Sequence, residues 1–301
     1  MGLLKRVFPF TGEQTVNILS EFGPLVTMFI VNAAAGINAG TWALIISSVV
    51  AMVVMRMVLG RLPVFPIIAS SVTIVFGVLT LVTGDPMWVQ IKVSIFNTLF
   101  AGFLFGGLWA TSPLVGGKAS FATVAVLGFG IVAQIPFLIG GMPDLTSLDD
   151  PVTTNLICLA SVLVGFLLGG LVFKRNFFGY VFEKTFNFTQ EGWDKFTFSF
   201  AWFFVFTAVL NEIIRQVFDA ETMYPVPLLG DMNGVNIWIL FKVAFIMPVS
   251  GIYAWYLTKL MQKYRIDGPE HAAVAGAGHG AGGGQIYAMA DARPPGSPPT
   301  K

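Results

Sequence analysis

Five ionisable residues stand inside or at the rim of long apolar runs: Glu21, Arg56, Lys92, Glu212 and Lys242, with Asn32, Asn97, Gln134 and Asn211 as neutral neighbours. On insertion scales a charge at the centre of a membrane helix costs roughly 2.5–3.5 kcal/mol, which makes each a functional candidate. Two kinds of chemistry are open to them, buried ion pairing and passage of a proton or ion. A relay needs carboxylates in succession across the membrane, and Glu21 is expected at the face opposite Glu212 with nothing acidic between them. Pairing sets Glu212 against Lys92 or Lys242, all three expected at one depth. The competing reading leaves them hydrated at the interface, where each contributes under ~1 kcal/mol.

Both lysines belong to a repeated signature, "WVQIKV" from Trp88 to Val93 and "WILFKV" from Trp238 to Val243. Trp at i and Lys at i+4 share one helix face, and each copy follows a Gly-Asp pair, Gly84-Asp85 and Gly230-Asp231. One reading is an aromatic-belt anchor with a snorkelling cation. The other is an internal duplication of two helix hairpins, with the lysines at matching places near a pseudo-symmetry axis.

Other chemistry has little to stand on. There is no nucleophile elbow, phosphate-binding glycine loop, His-Glu metal motif or cysteine pair. Cys158 is the single cysteine and lies in an apolar run, and the only histidines, His271 and His279, fall in a glycine-rich C-terminal stretch. No enzymatic activity, cofactor or metal is expected. The formal net charge of +1 carries no leaning toward nucleic acid.

The elements that must position these residues are membrane helices. Apolar residues make up 55% of the 301 and charged ones 11%, with a mean hydropathy of +0.77, far from the roughly one-quarter charged residues of soluble domains. Hydropathy predicts an all-α, polytopic transmembrane bundle of eight spans near 22–37, 41–60, 64–83, 92–110, 120–141, 152–173, 196–214 and 236–258, within a domain of 1–265. Lysine and arginine alternate with the loops: Lys5, Arg6, Arg56, Arg61, Lys118, Lys174, Arg175, Lys184, Lys195, Lys259, Lys263 and Arg265 fall on one side. By the positive-inside rule both termini are predicted cytoplasmic. Residues 266–301, rich in Gly, Ala and Pro, read as a flexible cytoplasmic tail.

A series of motifs in order resembles the intracellular septation protein A family, also called the inner membrane-spanning protein YciB or IspZ family. They are "EFGPL" (Glu21–Leu25), "RLPVFP" (Arg61–Pro66), "VFGVLTL" (Val75–Leu81), "IKVSIFNTLF" (Ile91–Phe100), "EGWDKFT" (Glu191–Thr197), "AVLNE" (Ala208–Glu212) and "FKVAFIMP" (Phe241–Pro248). The resemblance covers roughly 20–109 and 171–260, and the stretch between reads as an insertion of two spans at about 110–170, six family-like spans making up the rest. It implies a non-enzymatic, multi-pass protein of the bacterial inner membrane, active in cell envelope biogenesis, envelope integrity, membrane homeostasis and septation. The partners it implies are membrane lipids and membrane-bound cell elongation and division proteins.

Two further features bear on partners. Gly102-x-x-x-Gly106 and Gly165-x-x-x-Gly169 permit close helix approach and are read as intramolecular packing in preference to a dimer interface. The loop 174–195 mixes Lys174, Arg175, Lys184 and Lys195 with Phe177, Phe178, Tyr180, Phe182 and Trp193, which suits an amphipathic element lying on anionic headgroups or docking a partner segment. The competing function is a small-molecule or lipid transporter or channel. It would require a polar cavity near the midplane lined by Asn32, Asn97 or Gln134, where a scaffold would be packed shut.

Overall fold

The structure is a computed structural model describing residues 12–60, 64–113, 115–135, 150–182, 187–220, 222–227 and 229–266. The expected tail 266–301 lies outside them from residue 267 onward, and so do Lys5, Arg6, Arg61 and Lys184. The chain is helical, as the hydropathy predicts. Helix α1 runs Gly12–Leu59, α2 Val64–Thr83, α3 Met87–Thr111, α4 Gly116–Ala133 and α5 Pro151–Leu167. A short α6 (Phe177–Phe182), the long α7 (Gln190–Val217) and α8 (Gly234–Phe241) followed by α9 (Met247–Tyr264) complete the bundle. Six helical stretches of the described residues are long and apolar enough to cross a membrane, and Ser70–Thr83 of α2 is a shorter apolar one.

The break between the first two expected spans, 22–37 and 41–60, comes at Gly36, one residue inside the first of them. Its φ of 82° and ψ of 175° lie outside the helical region, a conformation that a residue without a Cβ adopts readily. The chain doubles back there: a Cβ on Gly40 would sit 2.7 Å from the Cβ of Asn32, and Met28 and Leu44 share one apolar cluster. The two arms of α1 are therefore antiparallel. The first arm starts at Gly12, ten residues ahead of the expected 22, and carries Pro24 inside it.

Two departures from α geometry occur in the spans. Pro248 has no N–H to offer the carbonyl four residues back, and its ring crowds that carbonyl; the turn ahead of it, Lys242–Ile246, widens into a π-helix joining α8 to α9. The end of α5 does the same over Leu168–Phe173, closed by Lys174 at a left-handed φ of 53° whose N–H donates to the Gly169 carbonyl at 2.8 Å.

Helix α3 is the axial element, with half of its apolar window buried against neighbours. Its approach to α5 is set by glycine. A Cβ on Gly102 or Gly106 would meet the carbonyl oxygen of Val162 or Phe166 at 2.1 Å, and one on Gly165 or Gly169 would meet that of Leu99 or Phe103 at 2.0 Å. The two glycine motifs thus face each other within one chain, as expected, and only residues without side chains allow that backbone separation. On the other side of α3, Leu104, Phe105 and Leu108 pack with Trp193, Ala201, Phe204 and Val205 of α7 and Phe178 of α6.

One end of the bundle carries Lys118, Lys174, Arg175, Lys195, Lys259 and Lys263 and is the basic end. The other, the hairpin end, carries a two-stranded antiparallel sheet, β1 (Met223–Val226) with β2 (Gly230–Asn233), in register Met223↔Asn233 and Val226↔Gly230. The sequence reading leaves this segment as a loop. At the basic end, Phe188 bridges to Arg265, with Thr189 N–H donating to the Tyr264 carbonyl at 3.1 Å and Ile266 N–H to the Asn187 carbonyl at 2.9 Å.

Candidate functional site

The polar residues of the hairpin end converge on Asn211, which is fully buried on α7. Its amide N–H2 donates to the Gln90 carbonyl at 3.0 Å and to Ser94 Oγ at 2.8 Å, both on α3, while Trp238 of α8 donates its indole N–H to Asn211 Oδ1 at 2.9 Å. One amide therefore ties three helices. Ser94 passes the network on to Glu212 through its hydroxyl. Glu212 Oε2 accepts from Arg215 Nε at 3.1 Å and Nη2 at 2.8 Å, and Arg215 Nη2 also donates to Thr154 Oγ1 of α5 at 2.6 Å. The pair is nearly dry, with side chains 6% and 12% exposed for Arg215 and Glu212.

This corrects the expected ion pair. Glu212 bridges to neither Lys92 nor Lys242; its cation is Arg215, one turn further along the same helix. At i,i+3 the guanidinium reaches back with both nitrogens. Lys92 instead donates to Thr73 Oγ1 on α2 at 2.9 Å. Lys242 is buried with its ammonium 5.4 Å from the Trp238 ring centroid, within electrostatic reach of Glu212 and Lys92. A buried cation over an indole face is held by the ring quadrupole.

The repeated signature is matched in part. Gly84 and Gly230 both take positive φ, 75° and 81°, and each tryptophan packs on the helix before it. Trp88 meets Phe76 of α2 at 6.3 Å between centroids, and Trp238 meets Asn211 of α7. Their depth differs: Trp88 is half-buried, whereas Trp238 is among the most enclosed side chains of the fold and is no interfacial anchor.

The polar residues expected to line a midplane cavity are bonded internally. Asn97 donates to Thr207 Oγ1 at 3.0 Å, and Asn32 donates to Asn236 Oδ1 at 2.6 Å. Gln134 donates to its own helix at Gly130, and among the described residues its buried Oε1 has no hydrogen-bond partner. The cavities described below are lined by none of the three.

The basic end holds a second cluster, centred on Asp194, which is 1% exposed. Its carboxylate accepts from Ser112 Oγ at 2.6 Å, Asn176 Nδ2 at 3.1 Å and Gln190 Nε2 at 3.0 Å. Asn176 Oδ1 in turn accepts from Thr197 Oγ1 at 2.7 Å. Three donors are aimed at two oxygens, with no cation in a salt bridge to them among the described residues, which compensates the desolvated carboxylate, and they pin the α3–α4 turn and the α5–α6 turn to α7. Sequence reasoning passes over Asp194 and Arg215 because each sits among other charges and reads as solvated. The signal was that Asp194 falls three residues after Glu191 and one before Lys195 in a segment turning apolar.

Loop 174–195 is shorter than expected, because α6 and the first turns of α7 occupy most of it, the latter capped by Thr189 Oγ1 accepting from Gly192 N–H at 3.1 Å. Its aromatic residues divide: Phe178, Phe188 and Trp193 are buried, whereas Tyr180 and Phe182 are exposed. Trp193 is 6% exposed and packs edge-on against Phe188 at 4.9 Å, so it faces neither lipid nor a partner. Lys195 pairs with Glu191 at 2.6 Å across one exposed helical turn and lies over the Tyr264 ring. Lys174 and Arg175 are exposed.

The sequence pattern of the intracellular septation protein A family matches residues 16–119 and 153–267. The chain is a member of that family. Inner membrane-spanning protein YciB of Bradyrhizobium sp. (strain BTAi1) is 27% identical over 251 residues, which covers 83% of this chain and 86% of the relative. The YciB proteins of Brucella melitensis and Brucella suis are 25% identical over 273 residues, covering 86% of this chain and 89% and 98% of theirs. No solved structure matches the chain. The septation protein A pattern leaves out residues 120–152, a narrower stretch than the expected 110–170. Helix α5 therefore lies within the matched part, in keeping with its glycine-to-glycine contact with α3, and α4 is the helix that falls mostly outside it. Among the described residues of this septation-family protein, no group of three His, Cys, Asp or Glu could hold a metal ion.

Proposed function

We propose that this protein is a non-enzymatic, multi-pass protein of the bacterial inner membrane that serves cell envelope biogenesis, envelope integrity and septation. Both termini lie in the cytoplasm, and the protein acts by contact with membrane-bound elongation and division proteins. Family membership carries the reading. The closed interior supports it: Asn32, Asn97 and Asn211 spend their amides on helix-to-helix bonds, and the Glu212–Arg215 pair is locked to Thr154. A carrier would need such groups free to exchange partners along a pathway. The placement of Lys118, Lys174, Arg175, Lys195, Lys259 and Lys263 at one end supports the orientation.

The reading is tested by deleting the gene and scoring cell length, septum placement and leakage of a periplasmic reporter, with rescue by the intact chain. Filamentation or leakage that the chain rescues is expected. Normal septation and envelope with loss of uptake of one solute would contradict the reading and favour transport.

A further inference from the structure

Two cavities meet at the basic end and share Arg175 and Tyr180. The first, of about 490 Å3, is walled by Phe103, Leu168, Val172 and Phe173. The second, of about 530 Å3, is walled on its polar side by Thr111, Asn176, Asn187 and Gln190. One guanidinium stands where the two open grooves meet. It lies 5.2 Å from the Tyr180 ring centroid, and among the described residues no carboxylate forms a salt bridge with it. Asp194, the carboxylate beneath the second cavity, is buried and saturated by Ser112, Asn176 and Gln190, so it does not compete for Arg175.

The backbone explains the opening. The π-turn over Leu168–Phe173 and the left-handed Lys174 end α5 with a widened, turned terminus, and Arg175 follows two residues after the last apolar position of that membrane-length stretch, Pro151–Phe173. This is headgroup depth. Leu168, Leu171 and Val172 on the same terminus are exposed, as lipid-facing residues are.

We propose that this paired cavity binds one anionic glycerophospholipid of the leaflet at the basic end, its phosphate on Arg175 and an acyl chain along Phe103, Leu168 and Val172. Charge complementarity selects the occupant: an exposed guanidinium at headgroup level, in no salt bridge among the described residues, fits a phosphodiester, and the adjoining apolar wall continues into the lipid-facing surface of α5. The inference is independent of the septation role and stands if that role fails.

The test is native mass spectrometry of the full-length protein, delipidated in detergent and titrated with phosphatidylglycerol or phosphatidylcholine of the same chains. The wild type is expected to retain phosphatidylglycerol in preference to phosphatidylcholine. Arg175→Gln should weaken phosphatidylglycerol about five- to tenfold, the worth of one charge-assisted contact. Lys195→Gln, a basic-end change outside both cavities, should leave it unaltered, and Val172→Trp, which fills the first cavity at a lipid-exposed position, should weaken both lipids. Equal retention of the two lipids by the wild type, or phosphatidylglycerol binding unchanged in a folded Arg175→Gln, would overturn the proposal. Displacement of phosphatidylglycerol by millimolar inorganic phosphate alone would also overturn it, since the site would then be for the free anion.

Discussion

Arg215→Ala should be among the most damaging single substitutions in the hairpin end. The change leaves the Glu212 carboxylate, with a side chain 12% exposed, holding only the Ser94 hydroxyl and a 3.2 Å contact from Gln216 Nε2. Stripping one partner from a buried pair costs about 3–5 kcal/mol, because the surviving charge keeps its desolvation penalty; Thr154, fully buried, loses its donor as well. Replacing both charges, Glu212→Gln with Arg215→Met, removes the penalty along with the attraction and should return to within about 1 kcal/mol of wild type. With Arg215→Met and Glu212→Gln as the single changes of the double-mutant cycle, the coupling is about 2–4 kcal/mol. Equilibrium unfolding in mixed micelles, followed by tryptophan fluorescence, measures all four species and Arg215→Ala. If Arg215→Ala lies within about 1 kcal/mol of wild type, the pair is worth no more than a hydrated surface pair and the dry-lock reasoning is wrong.

Gly165→Leu should open the α3–α5 contact, since its Cβ would lie 2.0 Å from the Leu99 carbonyl oxygen; a loss of about 1–3 kcal/mol or more is expected in the same unfolding assay. Gly128→Leu, with no atom within 4 Å of the added Cβ, should be near neutral. Trp238→Phe strands Asn211 Oδ1 without its indole donor and should lose about 1–3 kcal/mol, whereas Trp88→Phe should lose less, read from the shift in unfolding midpoint. For orientation, a fluorescent protein fused after Lys301 should fluoresce, and alkaline phosphatase inserted in the β1–β2 turn should be active; the reverse pattern would invert the topology.

The helical class was legible because hydrocarbon permits few alternatives: the charge-poor runs correspond to six helical stretches of membrane length among the described residues. The glycine pairs were legible as close packing, but spacing does not name the partner, and that Gly102 faces Val162 is a tertiary fact. Which charges pair was not legible. Lys92 and Lys242 looked like the natural cations because they lie in apolar runs, yet a lysine stem reaches whatever oxygen or ring is nearest, Thr73 in one case and the Trp238 face in the other. Arg215 falls one residue past the expected span 196–214 and so into a loop, but α7 runs on to Val217 and its last turns carry Arg215 into the bundle. Asp194 was hidden for the same reason at the other end: the helix starts six residues before the apolar run. In both places helical continuation, set by packing and capping more than by hydropathy, moved a charge from an expected loop into the core.

The central claim is that the intramembrane charges hold helices together and conduct nothing. The measurement that tests it most directly is complementation of the deletion strain by the neutral double variant Glu212→Gln/Arg215→Met, with its membrane level checked by immunoblot. A structural role predicts normal cell length, septa and envelope integrity from a folded protein without either charge. A variant present at wild-type level yet unable to restore septation or envelope integrity would contradict the account, because a packed lock with its packing intact would then not suffice.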